Sequence, residues 1–274
     1  MRKFDIVKLD WEERFGIASK GGTAVRRFSA LVLGALLTAV FYGALSLLRQ
    51  IYPGAVTIEM FFPGGAAERS FIPAITVLLA MWAWSMLLLK RSKLAIQKKA
   101  LQALAENTDE NSWQDSFCEI SDFIAPAALA KRLELQKRNL SVLEITGLME
   151  SHIEDLEKDS ENSFSAVSSF IWAIPVLGFI GTVLGLARAV GNFGSLTGAG
   201  DQAGFEAVLP EITGGLATAF ETTLIALVLA LILQLLASFR SQAELDFIAQ
   251  VKKAVMPDVA EENLAGNDSE QRAL

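Results

Sequence analysis

Four stretches of the chain are nearly free of charge: Phe28 to Leu48, Phe71 to Leu89, Phe164 to Ala187 and Ile212 to Phe239. Each reaches the length of about 20 residues that a helix needs to cross hydrocarbon. The pattern predicts an all-α, polytopic membrane protein with four transmembrane helices and a helical cytoplasmic extension. Between the second and third runs the periodicity changes. From Ala127 onward Leu133, Leu140, Leu143, Leu148, Ile153 and Leu156 recur at rough helical spacing with charges between them, which predicts one long cytoplasmic helix. Its acidic end, Glu150 to Glu161, holds no proline, so the helix is expected to run on into the third span.

The segments follow from these boundaries: an amino-terminal segment over 1–27, the first two spans with a short outer loop over 28–89, a cytoplasmic helical segment over 90–163, the last two spans over 164–239 and a tail over 240–274. Residues 1–27 mix apolar and charged positions, and an amphipathic helix on the membrane face and a solvated leader explain them equally well. The first span is expected to be retained rather than cleaved, since four acids precede it and no small-residue cleavage site follows. Pro53-Gly54 and Pro63-Gly64-Gly65 punctuate the first outer loop, and Pro73 falls in the first turn of the second span. Gly34, Ala35 and Gly43 mark places where another helix can approach the first span. Trp82 and Trp84 are expected to face lipid or a neighbouring helix.

Composition agrees with the pattern. Hydrophobic residues make up 52% of the chain, and a single Cys118 permits no internal disulfide. A net charge of -7 without a basic stripe argues against nucleic acid. Lys and Arg number seven in residues 1–27, ten in 90–163 and four in the tail, against two in Arg49–Ser70 and none in Gly191–Glu211. Positive residues stay inside, so both termini and the middle segment are assigned to the cytoplasm. The basic group Lys90, Arg91, Lys93, Lys98 and Lys99 reads as a topology anchor at the bilayer surface. His152 has no second ligand at metal spacing and reads as a surface histidine. No nucleophile with a base, phosphate loop or metal cluster is apparent, which places enzyme chemistry last.

The chemistry lies inside the spans. The third holds Pro175, expected to bend the helix, and Gly178, Gly181 and Gly185, of which the last two form a close-packing spacing. Thr182 sits between them; its plainest reading is a hydroxyl bonded to the carbonyl four residues back. The fourth span is expected to begin after Pro210, with Gly214-Gly215 followed by Thr218, Glu221, Thr222 and Thr223. At about 100° per residue Gly214, Thr218, Glu221 and Thr222 share a broad face, and Thr223 lies about 140° round from Thr218. Counting about 1.5 Å per residue puts Thr182, Thr218 and Glu221 roughly 7, 9 and 5 Å outward of their span midpoints, at matching heights. Polar groups in hydrocarbon are costly and point to function.

These two helices, IPVLGFIGTVLGL and GGLATAFETTLIAL, resemble the third- and fourth-helix signatures of the MotA/TolQ/ExbB proton-channel family over about residues 164–239. The four-span plan looks like MotA, the motif wording nearer to TolQ and ExbB, and the subfamily stays open. The resemblance implies a homopentameric ring in the bacterial inner membrane, with no cofactor, surrounding single-span partners similar to ExbD, TolR or MotB. A membrane aspartate of those partners would take up the ion, H⁺ or Na⁺, and Thr182 and Thr223 would line the cavity beside it. The ring would act as the stator of a motor. The carboxylate of ExbB-like members aligns with Thr218, whereas this chain places Glu221 about 4.5 Å further in. Glu221 is therefore either an ion site or a structural group, for instance paired with Arg188. A non-conducting structural or signalling scaffold is the competing reading of the whole.

Overall fold

The computed structural model describes residues 27–62, 71–106, 124–138, 140–196 and 202–256. The readings of residues 1–26, Pro63-Gly64-Gly65, Cys118 and the tail beyond 256 lie outside them. The described residues form seven helices: α1 (Arg27–Ile51), α2 (Val56–Glu59), α3 (Ile72–Glu106), α4 (Ile124–Lys137), α5 (Val142–Ser163), α6 (Ser165–Leu196) and α7 (Gln202–Val255). Four helical stretches among them are long and apolar enough to cross a membrane: Phe28–Ile51, Ile72–Gln102, Val142–Gly191 and Val208–Val255. The protein is an all-α polytopic membrane protein.

Packing divides the chain into two units. One, from residues 25–89 and 164–239, contains the apolar runs. Its core joins Ala30, Ala80, Ala83, Met86 and Leu87 to Phe164, Val167, Ile174, Ala226, Ala230 and Leu233. Spacings of three and four residues keep these side chains on one face of each helix. Helix α1 is peripheral: 6% of its apolar window is buried, against 50% in α3. It is held where Gly34 lets the backbone of Trp82 approach, since a Cβ there would stand 2.7 Å from the Trp82 Cα. The Ala30 carbonyl accepts a 2.6 Å hydrogen bond from Ser85 Oγ. Gly43, by contrast, has nothing within 4 Å and Ala35 is exposed. Trp82 packs on Phe170 at 4.7 Å between ring centroids, while Trp84 lies on the exposed side. Beyond the carboxy-terminal end of α1, Gly54 turns the chain with φ +87°, and α2 folds back so that Glu59 accepts a bidentate pair of bonds from Arg49, at 2.8 and 3.1 Å.

The second unit takes in residues 90–163 and the chain from Arg240 onward. Leu94 of α3, Ala125, Ala128 and Leu135 of α4, Ile145, Met149 and Ile153 of α5, and Phe247, Ile248, Val251 and Val255 of α7 form its core. The expected single helix from Ala127 is here two helices, and the reason is local. Helix α4 ends on a tight turn, Arg138 N to Leu135 O. Ser141 then starts α5 with a capping box: the Ser141 amide and hydroxyl donate to Glu144 Oε2 at 2.9 and 2.8 Å, and the Glu144 amide donates to Ser141 Oγ at 3.3 Å. From α5 the chain continues into α6 through one turn residue, Phe164, close to the unbroken passage expected.

Two further expectations are corrected. The fourth helix begins at Gln202, and Pro210 lies inside it. Proline removes one amide donor, a cost that a 54-residue helix absorbs. Lys90 and Lys93 are buried rather than spread at a lipid surface; Lys90 forms an ion pair with Glu244 at 2.8 Å. A stem four methylenes long lets an ammonium reach across a helix interface as readily as toward lipid headgroups.

Candidate functional site

The seam between α6 and α7 is built from small residues on both sides. Gly178, Gly181, Gly185 and Ala189 recur at three and four residues along α6; Gly215, Ala219, Thr222 and Ala226 do so along α7. A Cβ added at Gly178 would lie 2.6 Å from Ala226 Cβ, and one at Gly185 would lie 2.7 Å from both Ala219 N and Gly215 O. One added at Gly215 would meet Ala189 N at 2.9 Å. Glycine is therefore required at these crossings, because the facing atoms are backbone or a Cβ with no freedom to move aside. Gly181 faces Thr222, whose side chain is buried over it. Gly214 is half-buried and next to the seam. Pro175 lies within α6 without ending it.

Close backbones bring the hydroxyls together. Thr182 Oγ1 and Thr223 Oγ1 share a hydrogen bond across the seam. Thr182 Oγ1 also lies 3.2 Å from the Gly178 carbonyl and 3.3 Å from the Ala219 carbonyl. Thr223 Oγ1 reaches the same two carbonyls at 3.1 and 3.3 Å. The back-bond expected for Thr182 thus exists, and a cross-helix bond is added to it. Each threonine has one donor hydrogen and two acceptor sites. Two hydrogens serve this cluster, one between the hydroxyls and one to a carbonyl. Lone pairs on the two hydroxyls are left over.

The other residues of the constellation take different positions. Thr218 is buried and donates to the Gly214 carbonyl at 2.9 Å. Thr222 is buried and donates to the Ala219 carbonyl at 3.0 Å. Both hydroxyls therefore serve their own helix. Glu221 is half-buried on α7, and Arg188 is exposed on α6. Of the threonines on α7, Thr223 is the one whose hydroxyl bonds to that of Thr182. Ala189, Ala219 and Ala226, which complete the seam opposite the glycines, were not singled out by the sequence reading; their signal is the repeat of small residues at 215, 219, 222 and 226.

Around the seam large apolar side chains are exposed: Phe179, Val183 and Leu186 on α6, Phe220, Leu224 and Leu227 on α7. Such a surface is stable only against lipid or protein. A family model described as the MotA/TolQ/ExbB proton channel family matches residues 119–253. The match takes in α4 to α7 and so reaches well upstream of the two motif helices, into the unit centred on Met149 and Phe247. Helices α1 to α3 lie before it. Neither a curated protein nor a solved structure matches the chain.

Proposed function

We propose, for a chain that belongs to the MotA/TolQ/ExbB proton channel family through residues 119–253, that it is the ring subunit of an ion-driven motor in the bacterial inner membrane. Family membership makes it a proton-channel-type, multi-pass membrane subunit, which is a transport rather than an enzymatic role. The finer reading is that five copies enclose single-span partners similar to ExbD, TolR or MotB, with both termini of each copy in the cytoplasm. A membrane aspartate of the partner takes up H⁺, and passage of the ion turns partner against ring.

The observation that carries this reading is the Thr182–Thr223 hydroxyl pair, held at one height by a glycine-packed seam. Its unused acceptor sites suit a protonated carboxyl of the partner. Glu221, two residues before Thr223 and half-buried, is the chain's own carboxylate at that height. In the ring it would receive or relay the ion. Sodium would be served by the same oxygens.

One observation favours the scaffold reading. Hydroxyls of Thr182, Thr218, Thr222 and Thr223 all reach backbone carbonyls, which a purely structural seam also requires. Purification of the tagged chain from its native membrane separates the two. A motor ring brings down a one-span companion carrying a membrane aspartate, in a complex whose protein mass fits five copies of 29.7 kDa plus the companion. A complex of this chain alone, or of another copy number without such a companion, overturns the proposal.

A further inference from the structure

The ion pair between Lys90 of α3 and Glu244 of α7 joins positions 154 residues apart. Each residue is 2% exposed. The Lys90 ammonium donates to Glu244 Oε1 at 2.8 Å, to Oε2 at 3.1 Å and to Ser163 Oγ at 2.7 Å. Ser160 Oγ donates to Oε2 at 2.9 Å, and Ser163 Oγ donates to the Ser160 carbonyl at 2.5 Å. All three ammonium hydrogens thus have acceptors, and three helices, α3, α5 and α7, meet in one polar cluster inside the unit that starts at Lys90.

Desolvation of two charges largely offsets their attraction, so such a pair is a weak source of stability. Its distinctive property is direction. The apolar neighbours Leu94, Ile153, Phe247 and Val251 remain covered if one helix slides along another by a turn. Lys90 and Glu244 do not: a slip of one turn moves the ammonium about 5.4 Å and leaves two charges apart in an apolar interior. The ion pairs Lys131–Glu134, Arg138–Glu134, Lys158–Glu154 and Lys252–Glu150 among the described residues of this unit are, by contrast, exposed and carry no such penalty.

We infer that Lys90, Glu244, Ser160 and Ser163 form a register lock: a buried charge cluster that fixes the axial positions of α3, α5 and α7 against one another. In sequence the lock lies where the apolar runs of α3 and α7 give way to polar helix. The inference does not depend on ion conduction.

The test uses the full chain in nanodiscs, with spin labels at exposed Ala95 of α3 and Ala249 of α7, labelled chain being diluted into unlabelled. Thermal unfolding and the inter-label distance are read together. Lys90→Met alone and Glu244→Leu alone each lower Tm, by on the order of 10 °C. The double variant Lys90→Met/Glu244→Leu returns Tm to near the wild-type value, while its distance distribution becomes broad or shifts by about one turn, 5.4 Å. The reversed pair Lys90→Glu/Glu244→Lys restores a single narrow distance. A double variant that keeps the wild-type narrow distribution overturns the inference, as do single variants that change neither reading. Should the double variant fail to insert, Glu244→Gln applies the same test, since it keeps the shape and removes the charge: a broadened distribution supports the lock, and an unchanged one overturns it.

Discussion

Gly185 is dictated by what faces it. Backbone atoms of Gly215 and Ala219 would stand 2.7 Å from any Cβ at this position, and backbone cannot swing away as a side chain can. Gly185→Ala should therefore force α6 and α7 apart and lower Tm of the purified protein, at a cost of about 1–3 kcal/mol typical of overpacking. Gly43, with open space around its Cα, is the matched control: Gly43→Ala should leave Tm unchanged or raise it slightly, because alanine loses less entropy in a helix. A Gly185→Ala variant that loses no more than Gly43→Ala would show that the close seam does not dictate glycine at this position. The glycines and Thr182 were legible in the sequence because close packing has a spacing. The direct bond between the Thr182 and Thr223 hydroxyls was not, although the family resemblance had set both residues beside one cavity. Thr218 and Thr223 lie on different faces of α7, and the rotation that selects between them is settled only when Thr222 packs over Gly181. Lys90 and Glu244 were hidden for a similar reason. The one trace of the pair is that Glu244 interrupts an apolar stripe continued by Phe247, Ile248 and Val251.

Elements were read with uneven success, and the physics explains where. The spans follow from run length, a property of composition that tertiary contacts hardly alter. Boundaries depend on particular hydrogen bonds. The division between α4 and α5 rests on Ser141 and Glu144, a capping box present in the sequence as Ser-x-x-Glu but overridden there by the leucine spacing. The Ser141 amide, and then its hydroxyl, hold the Glu144 carboxyl below the usual carboxylate range. A folded-state pKa that is lowered stabilises the cap above the carboxylate's unfolded pKa, and the contribution disappears as pH falls through the folded value. Amide hydrogen exchange in the first turn of α5, corrected for intrinsic rates, should thus accelerate as the solution becomes acid enough to protonate Glu144. Glu144→Gln should show the faster exchange already at neutral pH and little further change. Indifference of that turn to both would remove the cap as the cause of the break.

On the scale of the molecule, two units of different character share long helices: α3 and α7 each contribute residues to both. The family match covers α4 to α7, so it takes in α4 and α5 of the polar unit as well as the motif spans. Helix α1 stands before that plan, and its apolar window is 6% buried. Its exposed residues Leu31, Val32, Leu36 and Val40 need lipid or another protein surface in the assembled state.

Ion conduction through the α6–α7 seam is tested most directly by flux. The chain and its one-span companion, reconstituted in liposomes with an internal pH indicator, should carry H⁺ down an imposed gradient. Thr182→Ala and Glu221→Gln should each lower that flux by about tenfold or more, the scale of one lost hydrogen bond to a charged group, while insertion and complex mass stay unchanged. Wild-type flux in both variants would contradict the account.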